Sequence, residues 1–379
     1  MTTLQSFERA RAHLAEQTPA TPVLVLDLHV VAERLNEFTR TFPGVTCYYA
    51  VKANPQPEIV ELLVRQGASF DVASTAEIDL CLAAGAAPET LSYGNPAKKA
   101  RDIAYAYSRG VRLFVFDSPQ ELEKLAEHAP GAQVFCRIAA TSAGALWPLG
   151  RKFGCPPEQA ATLLRKAFDL GLVPVGISFH VGSQQLDPTS WEAPIAAAAQ
   201  AFADCGLPMR LLNMGGGLPA RYQGEQPPMS AYGEAILASV TRHLPDFAGE
   251  LAMEPGRCLV ADAGVLRTEI VLVSDERSKD RWIYLDIGRF GGLAETEGEA
   301  IRYRVSTALD GGPEGPAVLA GPTCDSADIL FERAPYTLPL GLTAGDHVDI
   351  LSAGAYTTSY ASICFNGFTP PAVICLDLD

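Results

Sequence analysis

The sequence is short of several things, and each shortage removes a class of function. Over 379 residues no apolar run approaches the roughly 18 that a membrane-crossing helix needs. The start, Met1 to Gln17, is charged and helix-prone without an apolar core, so no secretory signal is expected and the cytoplasm is the expected compartment. Positive charge is scarce: 29 Lys and Arg against 44 Asp and Glu leave a net charge of −15. That balance argues against nucleic acid or an anionic membrane surface as a partner. The nine cysteines include no C-x-x-C pair and read as buried or reactive thiols in a reducing compartment. There is no H-E-x-x-H and no Cys/His ligand spacing, so no metal is expected. There is also no G-x-S-x-G elbow, no internal repeat and no low-complexity tract.

What is present is a chain with 48% hydrophobic residues, enough for a large core and two domains. One stretch organises it: Cys47-Tyr48-Tyr49-Ala50-Val51-Lys52-Ala53-Asn54-Pro55. Its apolar run lacks alternation, as in a parallel strand covered on both faces, and Asn54-Pro55 marks a turn. Lys52 either snorkels to the surface, or forms a structural ion pair, or is a desolvated amine with a lowered pKa that forms a Schiff base.

Strand-like runs follow at Tyr48–Ala53, Ser69–Ala73, Thr90–Tyr93, Arg112–Phe116, Gln133–Ile138, Val175–Val181, Arg210–Met214 and Leu251–Glu254. Helix signals lie between them, including capping boxes at Ser74–Glu77 and Ser118–Glu121. This alternation predicts an α/β fold, a (β/α)8 barrel, with a doubly wound open sheet as the alternative. Beyond Cys258 the texture turns to Gly- and Pro-rich strand runs. The expected organisation is a barrel over 27–260 and a second, mostly β domain over 261–379, joined by the segment 1–26. The strand at Pro22 to Leu26 is a candidate partner for that domain.

In such a barrel the active site lies where strands end. That filter collects Lys52, Asp71, Arg137, His180, Ser183, Gly215-Gly216-Gly217 and Glu254-Pro255-Gly256-Arg257 on one rim. The triple glycine exposes backbone N–H groups to an anion, or is simply a tight turn. Its formal match to G-x-G-x-x-A is set aside, because it follows the seventh strand and Pro219 interrupts it. Ser183 and Arg257 are candidate phosphate donors, Arg257 serving equally well in a structural salt bridge. Glu254, among Leu251, Ala252 and Met253, should be paired with a cation or be neutral. His180 alone is more often a packed ring than a catalyst. An amine, a phosphate cradle and a buried glutamate without metal or serine triad suit pyridoxal 5'-phosphate.

The motifs YYAVKAN, FDVASTAE, FHVGS, MGGGLPA, EPGR, GPTCDSAD and SAGAYTTSYASICFNGF resemble those of the ornithine/diaminopimelate decarboxylase family, the fold-type III pyridoxal phosphate enzymes. The resemblance spans nearly the whole chain. It implies a barrel with a β-barrel-like C-terminal domain, acting as a homodimer with shared active sites. It further implies Lys52 as the cofactor lysine, His180 as the ring stacked on the cofactor and Glu254 as the pyridinium partner. Ser183, Gly217, Gly256, Arg257 and Tyr356 match phosphate-binding positions, and Asp71, Glu77 and Arg137 match the polar network beneath the lysine. Cys324 would protonate the product carbon and Asp325 would bind the substrate's distal ammonium. From the residues alone they would be a buried thiol and a turn residue. A second ammonium contact falls on Glu299 or Glu295 in Phe290–Glu299. The implied substrate is a basic L-amino acid: L-ornithine giving putrescine, with lysine or both as the alternative. A non-catalytic relative and an amino-acid racemase are the remaining rivals.

Overall fold

A computed structural model describes residues 7–149, 152–274 and 280–378. Eight strands, Val45–Ala50, Ser69–Val72, Leu91–Tyr93, Leu113–Phe116, Gln133–Arg137, Val173–Ser178, Leu211–Asn213 and Glu250–Met253, close into a parallel barrel. The last pairs with the first, Leu251 opposite Val45, which removes the open-sheet alternative. Tyr48, Val115, Phe135, Val175, Leu211 and Ala252 form one buried cluster. They come from six strands that follow one another round the closed barrel.

The helices between the strands start where expected. The hydroxyls of Ser74 and Ser118 accept the N–H groups of Glu77 (3.3 Å) and Glu121 (3.4 Å). The return half of each capping box is replaced. Glu77 accepts the Ala73 N–H at 2.6 Å, and Glu121 turns towards Lys98. Lys98 follows the third strand on the rim, with its side chain wholly buried. Its Nζ donates to the carbonyls of Asn95 (2.8 Å) and Val115 (2.7 Å) and lies 3.0 Å from Glu121. Burial pushes its pKa down to about 8 against the opposing pull of Glu121.

By internal contacts the chain divides into two units. The barrel unit is Leu35–Pro219 with Gln226–Gly256; the other comprises Met1–Arg34, Ala220–Glu225 and Arg257–Asp379. The second unit holds an eight-stranded, mostly antiparallel sheet. Its strand Gly264–Ser274 pairs with His347–Leu351, with Trp282–Leu285 and with the N-terminal strand Val23–Asp27. Val23–Asp27 also runs parallel to Ala372–Leu376, so the first strand does join this domain. The N-terminal helix is found at Glu8–Gln17, packing Ala10 and Leu14 against Val23, Val25 and Val265; the residues before Phe7 lie outside those described. The strands Arg304–Thr307 and Tyr336–Pro339 were not expected. Each is four residues long and carries polar side chains or a proline, so neither shows an apolar run.

The buried lysine gives a direct test of the barrel's rim. Lys98→Met keeps the volume but strips Glu121 and two carbonyls of their donor. It should cost about 3 kcal/mol, read as a lower urea midpoint with an unchanged slope. A midpoint equal to wild type would mean that Lys124, 2.5 Å from Glu121 Oε2, and the retained backbone N–H of residue 98 satisfy Glu121 without the Lys98 amine.

Candidate active site

The first barrel strand stops at Ala50, earlier than expected, and Lys52 sits in the one-turn 3-10 helix Val51–Ala53. Two contacts end the strand there. The Ala50 N–H donates to the Pro255 carbonyl at 3.0 Å, and the Tyr49 hydroxyl donates to the Asn54 carbonyl at 2.9 Å. The turn lifts the Lys52 amine to the rim, where its side chain is 45% exposed and Nζ lies 2.7 Å from Asp71 Oδ2. Lys52 is thus a paired, accessible ammonium in this chain and not the desolvated amine of the sharpest expectation.

Asp71 is buried, and its Oδ1 has no hydrogen-bond partner. Such an atom is costly and marks a place where a ligand group or water belongs. It has room only because residue 94 is glycine: a Cβ there would stand 1.9 Å from Oδ1.

Around this pair the other barrel candidates are brought together. Glu254 is held by Asn213, whose Nδ2 donates to Oε1 at 2.6 Å. The same amide accepts the Gly215 N–H on Oδ1 at 2.9 Å. Burial, then Asp71, raise the Glu254 pKa to about 7, with Lys52 and Arg137 pulling the other way. Burial, reinforced by Arg137 and Lys52, holds His180 well below the usual histidine range. Its Nδ1 accepts the Gly182 N–H at 3.0 Å, so the imidazole is neutral with its proton on Nε2. Burial also raises Glu77, partly offset by the Ala73 N–H and Lys52. Lys52 therefore acts electrostatically on Glu77, His180 and Glu254 alike.

The triple glycine packs tightly here. A Cβ on Gly216 would stand 2.6 Å from the Glu254 carbonyl and 3.1 Å from His180 Nε2, and Gly217 has φ +117°. A Cβ on Gly256 would stand 2.8 Å from that of Ala53. Ser183 opens the short strand Ser183–Gln185, which pairs with Ala145–Trp147.

The second unit carries the remaining candidates. Arg257 is buried and bidentate to Glu295, at 2.6 and 2.7 Å, with a third bond to the Tyr222 hydroxyl at 2.8 Å. Its guanidinium stacks 4.8 Å from the Tyr356 ring. Glu295, with 2% of its side chain exposed, is therefore spent on Arg257 and is withdrawn as a substrate contact. Glu299 accepts the Arg333 N–H at 2.7 Å. Cys324 is exposed and not buried, as its residue type alone suggested. Asp325 Oδ1 accepts the Ala327 N–H at 2.8 Å, a turn role.

Residues 28–261 match the family model described as pyridoxal-dependent decarboxylase, pyridoxal binding domain. The chain belongs to this family of pyridoxal-dependent decarboxylases. The decarboxylase is 37% identical to a lysine/ornithine decarboxylase of Selenomonas ruminantium over 94% of this chain and 89% of that one. Among solved structures, the Vibrio vulnificus lysine/ornithine decarboxylase complexed with putrescine matches at a TM-score of 0.86 with 31% identity, covering 98% of each chain. The Paramecium bursaria Chlorella virus arginine decarboxylase matches at 0.88 with 28% identity, over 97% and 99% of the two chains. The barrel-plus-β architecture is that of these fold-type III enzymes, and the family and its relatives support a pyridoxal-dependent carboxy-lyase over the racemase reading.

The rim fits the cofactor on its own chemistry. Pyridoxal phosphate needs an accessible amine, a carboxyl for its ring nitrogen, a flat contact for its face and N–H donors for its phosphate. Lys52, Glu254, neutral His180 and the bare glycine loop answer these needs. Asn213, absent from the sequence-based candidates, is the member that ties the carboxyl to the loop. Its only sequence signal is an amide placed directly before M-G-G-G in an otherwise apolar strand.

The raised pKa of Glu254 has a stability consequence in the cofactor-free protein. Between about pH 4.5 and 7 the folded state keeps a proton that the unfolded chain has released. That contribution is full below the window and is lost as pH rises through 7. Relative to Glu254→Gln, wild type should lose about 3 kcal/mol between pH 4.5 and 8, measured by urea denaturation of both proteins. Parallel pH curves for the two would contradict the assignment.

Proposed function

We propose that this basic-amino-acid decarboxylase acts on L-ornithine, releasing carbon dioxide and putrescine. The observation that carries the substrate class is an exposed acidic side chain, Asp325, beside the exposed thiol of Cys324 on one turn. The names of the relatives, lysine/ornithine and arginine decarboxylases, support a substrate with a distal cation. Chain length is the finer point, since one methylene discriminates by only about 1–3 kcal/mol.

In this proposal Lys52 would hold the cofactor through its amine, at the rim position where its side chain is accessible. Ser183, Gly217 and Gly256 hold the phosphate, whereas Arg257, bidentate to Glu295, and Tyr356 stacked on it take the structural role instead. Asp71, Glu77 and Arg137 keep the lysine's surroundings polar. Bound pyridoxal phosphate supplies a ring that accepts the electron pair left when the carboxylate departs. Glu254 stabilises the proton on the ring nitrogen, giving up its own proton as a cation arrives beside it. Neutral His180 offers a flat face without adding a competing charge. Asp325 and Glu299 hold the distal ammonium, and Cys324 returns a proton to the α-carbon.

We further propose a homodimer in which Cys324 of the partner subunit serves the barrel bearing Lys52. Around that turn the chain exposes apolar side chains that a monomer has no reason to display: Ile363 is 81% exposed and Tyr360 49%.

The deciding experiment is a substrate panel of ornithine, lysine, arginine and norleucine with cofactor-loaded protein, read as amine product. Ornithine should lead and norleucine should fail; equal turnover of norleucine would remove the ammonium clamp. Asp325→Ala should lower kcat/KM for ornithine by about 10- to 100-fold, mostly through KM, while cofactor absorbance is unchanged.

For assembly, Lys52→Ala and Cys324→Ala protein are mixed and allowed to exchange. About half the dimers should be mixed, each with one intact site, so activity should recover to about a quarter of wild type. No recovery, with exchange proven by native mass spectrometry, would place Cys324 in its own chain's site.

A further inference from the structure

The turn bearing Cys324 and Asp325 is irregular, yet it is tied at both ends by side chains from elsewhere. Its base rests on Asp328, which is buried. The Asp328 carboxylate accepts the Thr323 N–H (3.2 Å), the Thr323 hydroxyl (2.7 Å) and the Arg289 N–H (2.7 Å). Its tip depends on a different residue. The backbone N–H of Cys324 donates to Asn366 Oδ1 at 2.9 Å, across 42 positions of sequence.

Asn366 is built for this contact. It has φ +49°, between Cys364 at +62° and Gly367 at +84°, a left-handed conformation that asparagine tolerates better than most residues. Two contacts brace the segment around it. The Phe365 ring lies 4.7 Å from that of Phe290, and the Ser362 N–H donates to the Phe290 carbonyl at 2.8 Å. Strained backbone held by surrounding contacts is a feature of sites whose geometry matters.

We propose that Asn366 is a positioning residue: by holding the Cys324 N–H it fixes the direction in which the Cys324 thiol delivers its proton. This rests on the proposed role of Cys324 as proton donor. In that step the bond between the α-carbon and the carboxylate has broken and carbon dioxide has left. The electron pair stays behind, the Sγ–H proton joins the α-carbon, and the thiolate regains a proton from water. A turnover whose proton goes to the cofactor instead leaves the amine nitrogen there and, with water, releases an aldehyde, so carbon dioxide appears without diamine. The hydrogen bond to Asn366 fixes the Cys324 backbone and with it the Cα–Cβ direction on which Sγ hangs.

The test counts carbon dioxide and diamine separately in cofactor-loaded wild type, Asn366→Gly, Asn366→Asp and Cys324→Ala. Glycine keeps the left-handed backbone and removes only the acceptor; aspartate keeps both. Unmatched carbon dioxide should rise about fivefold in Asn366→Gly, the population shift expected for one lost hydrogen bond. It should return near wild type in Asn366→Asp. Matched products in Asn366→Gly, or equal mispartitioning in both Asn366 variants, would overturn the proposal. Matched products in Cys324→Ala would instead overturn the role of Cys324 itself. A thermal unfolding scan of each variant separates misfolding from misplacement, and Asn366→Ser offers a shorter side chain should the glycine variant fail to fold.

Discussion

Burial on the barrel rim, with the Lys52–Asp71 pair 2.7 Å apart inside it, sets the state of Glu77, His180 and Glu254. Burial keeps the His180 ring neutral, and Arg137 and the Lys52 ammonium add to it by disfavouring a further positive charge. Burial, and after it Asp71, raise Glu254, so a carboxyl that would be ionised in water stands near neutrality. The groups are therefore poised by one another. Removing Lys52 would alter the protonation of His180 and Glu254 as well as the nucleophile, so the effects of substitutions within this set will not add.

The two units handle buried charge in different ways. On the barrel rim an oxygen of Asp71 is left unsatisfied and Glu254 is held at the edge of ionisation. In the other unit Arg257 is matched by a bidentate carboxylate, a phenol and an aromatic face. Attraction from Tyr222 and Glu295 outweighs the burial that disfavours its charge, so its pKa lies above the ordinary arginine value. The first arrangement stores free energy that a ligand can release, whereas the second has already spent it on a fixed geometry.

The barrel was legible because its strands are buried on both faces and read as unbroken apolar runs. The rim residues were legible because the fold puts strand ends on one face. What was lost depended on partners far away in sequence. The strand end at Ala50 is set by Pro255, so Tyr48–Ala53 looked uniform. Glu295 resembled a free acid in an acidic segment, and only Arg257, 38 positions away, shows that it is not. Lys98 stands next to Lys99 with nothing in the sequence to single it out, yet it is wholly enclosed while Lys99 is exposed. Nothing in the residues themselves distinguished Cys324 and Asp325 from an ordinary thiol and turn; their roles rested on family resemblance.

Asn213 gives and receives at once, its nitrogen facing Glu254 and its oxygen facing the Gly215 N–H. A backbone N–H can only donate, so the orientation of the amide is fixed by its surroundings. The position therefore selects for direction and not for size. Aspartate, which differs by one atom and is reached by a single base change, would set two carboxylates face to face. Deamidation would make the same exchange without any mutation. The neighbour that most resembles asparagine is thus among the least acceptable there, and a substitution table that scores the two as similar would misjudge how far this position can drift.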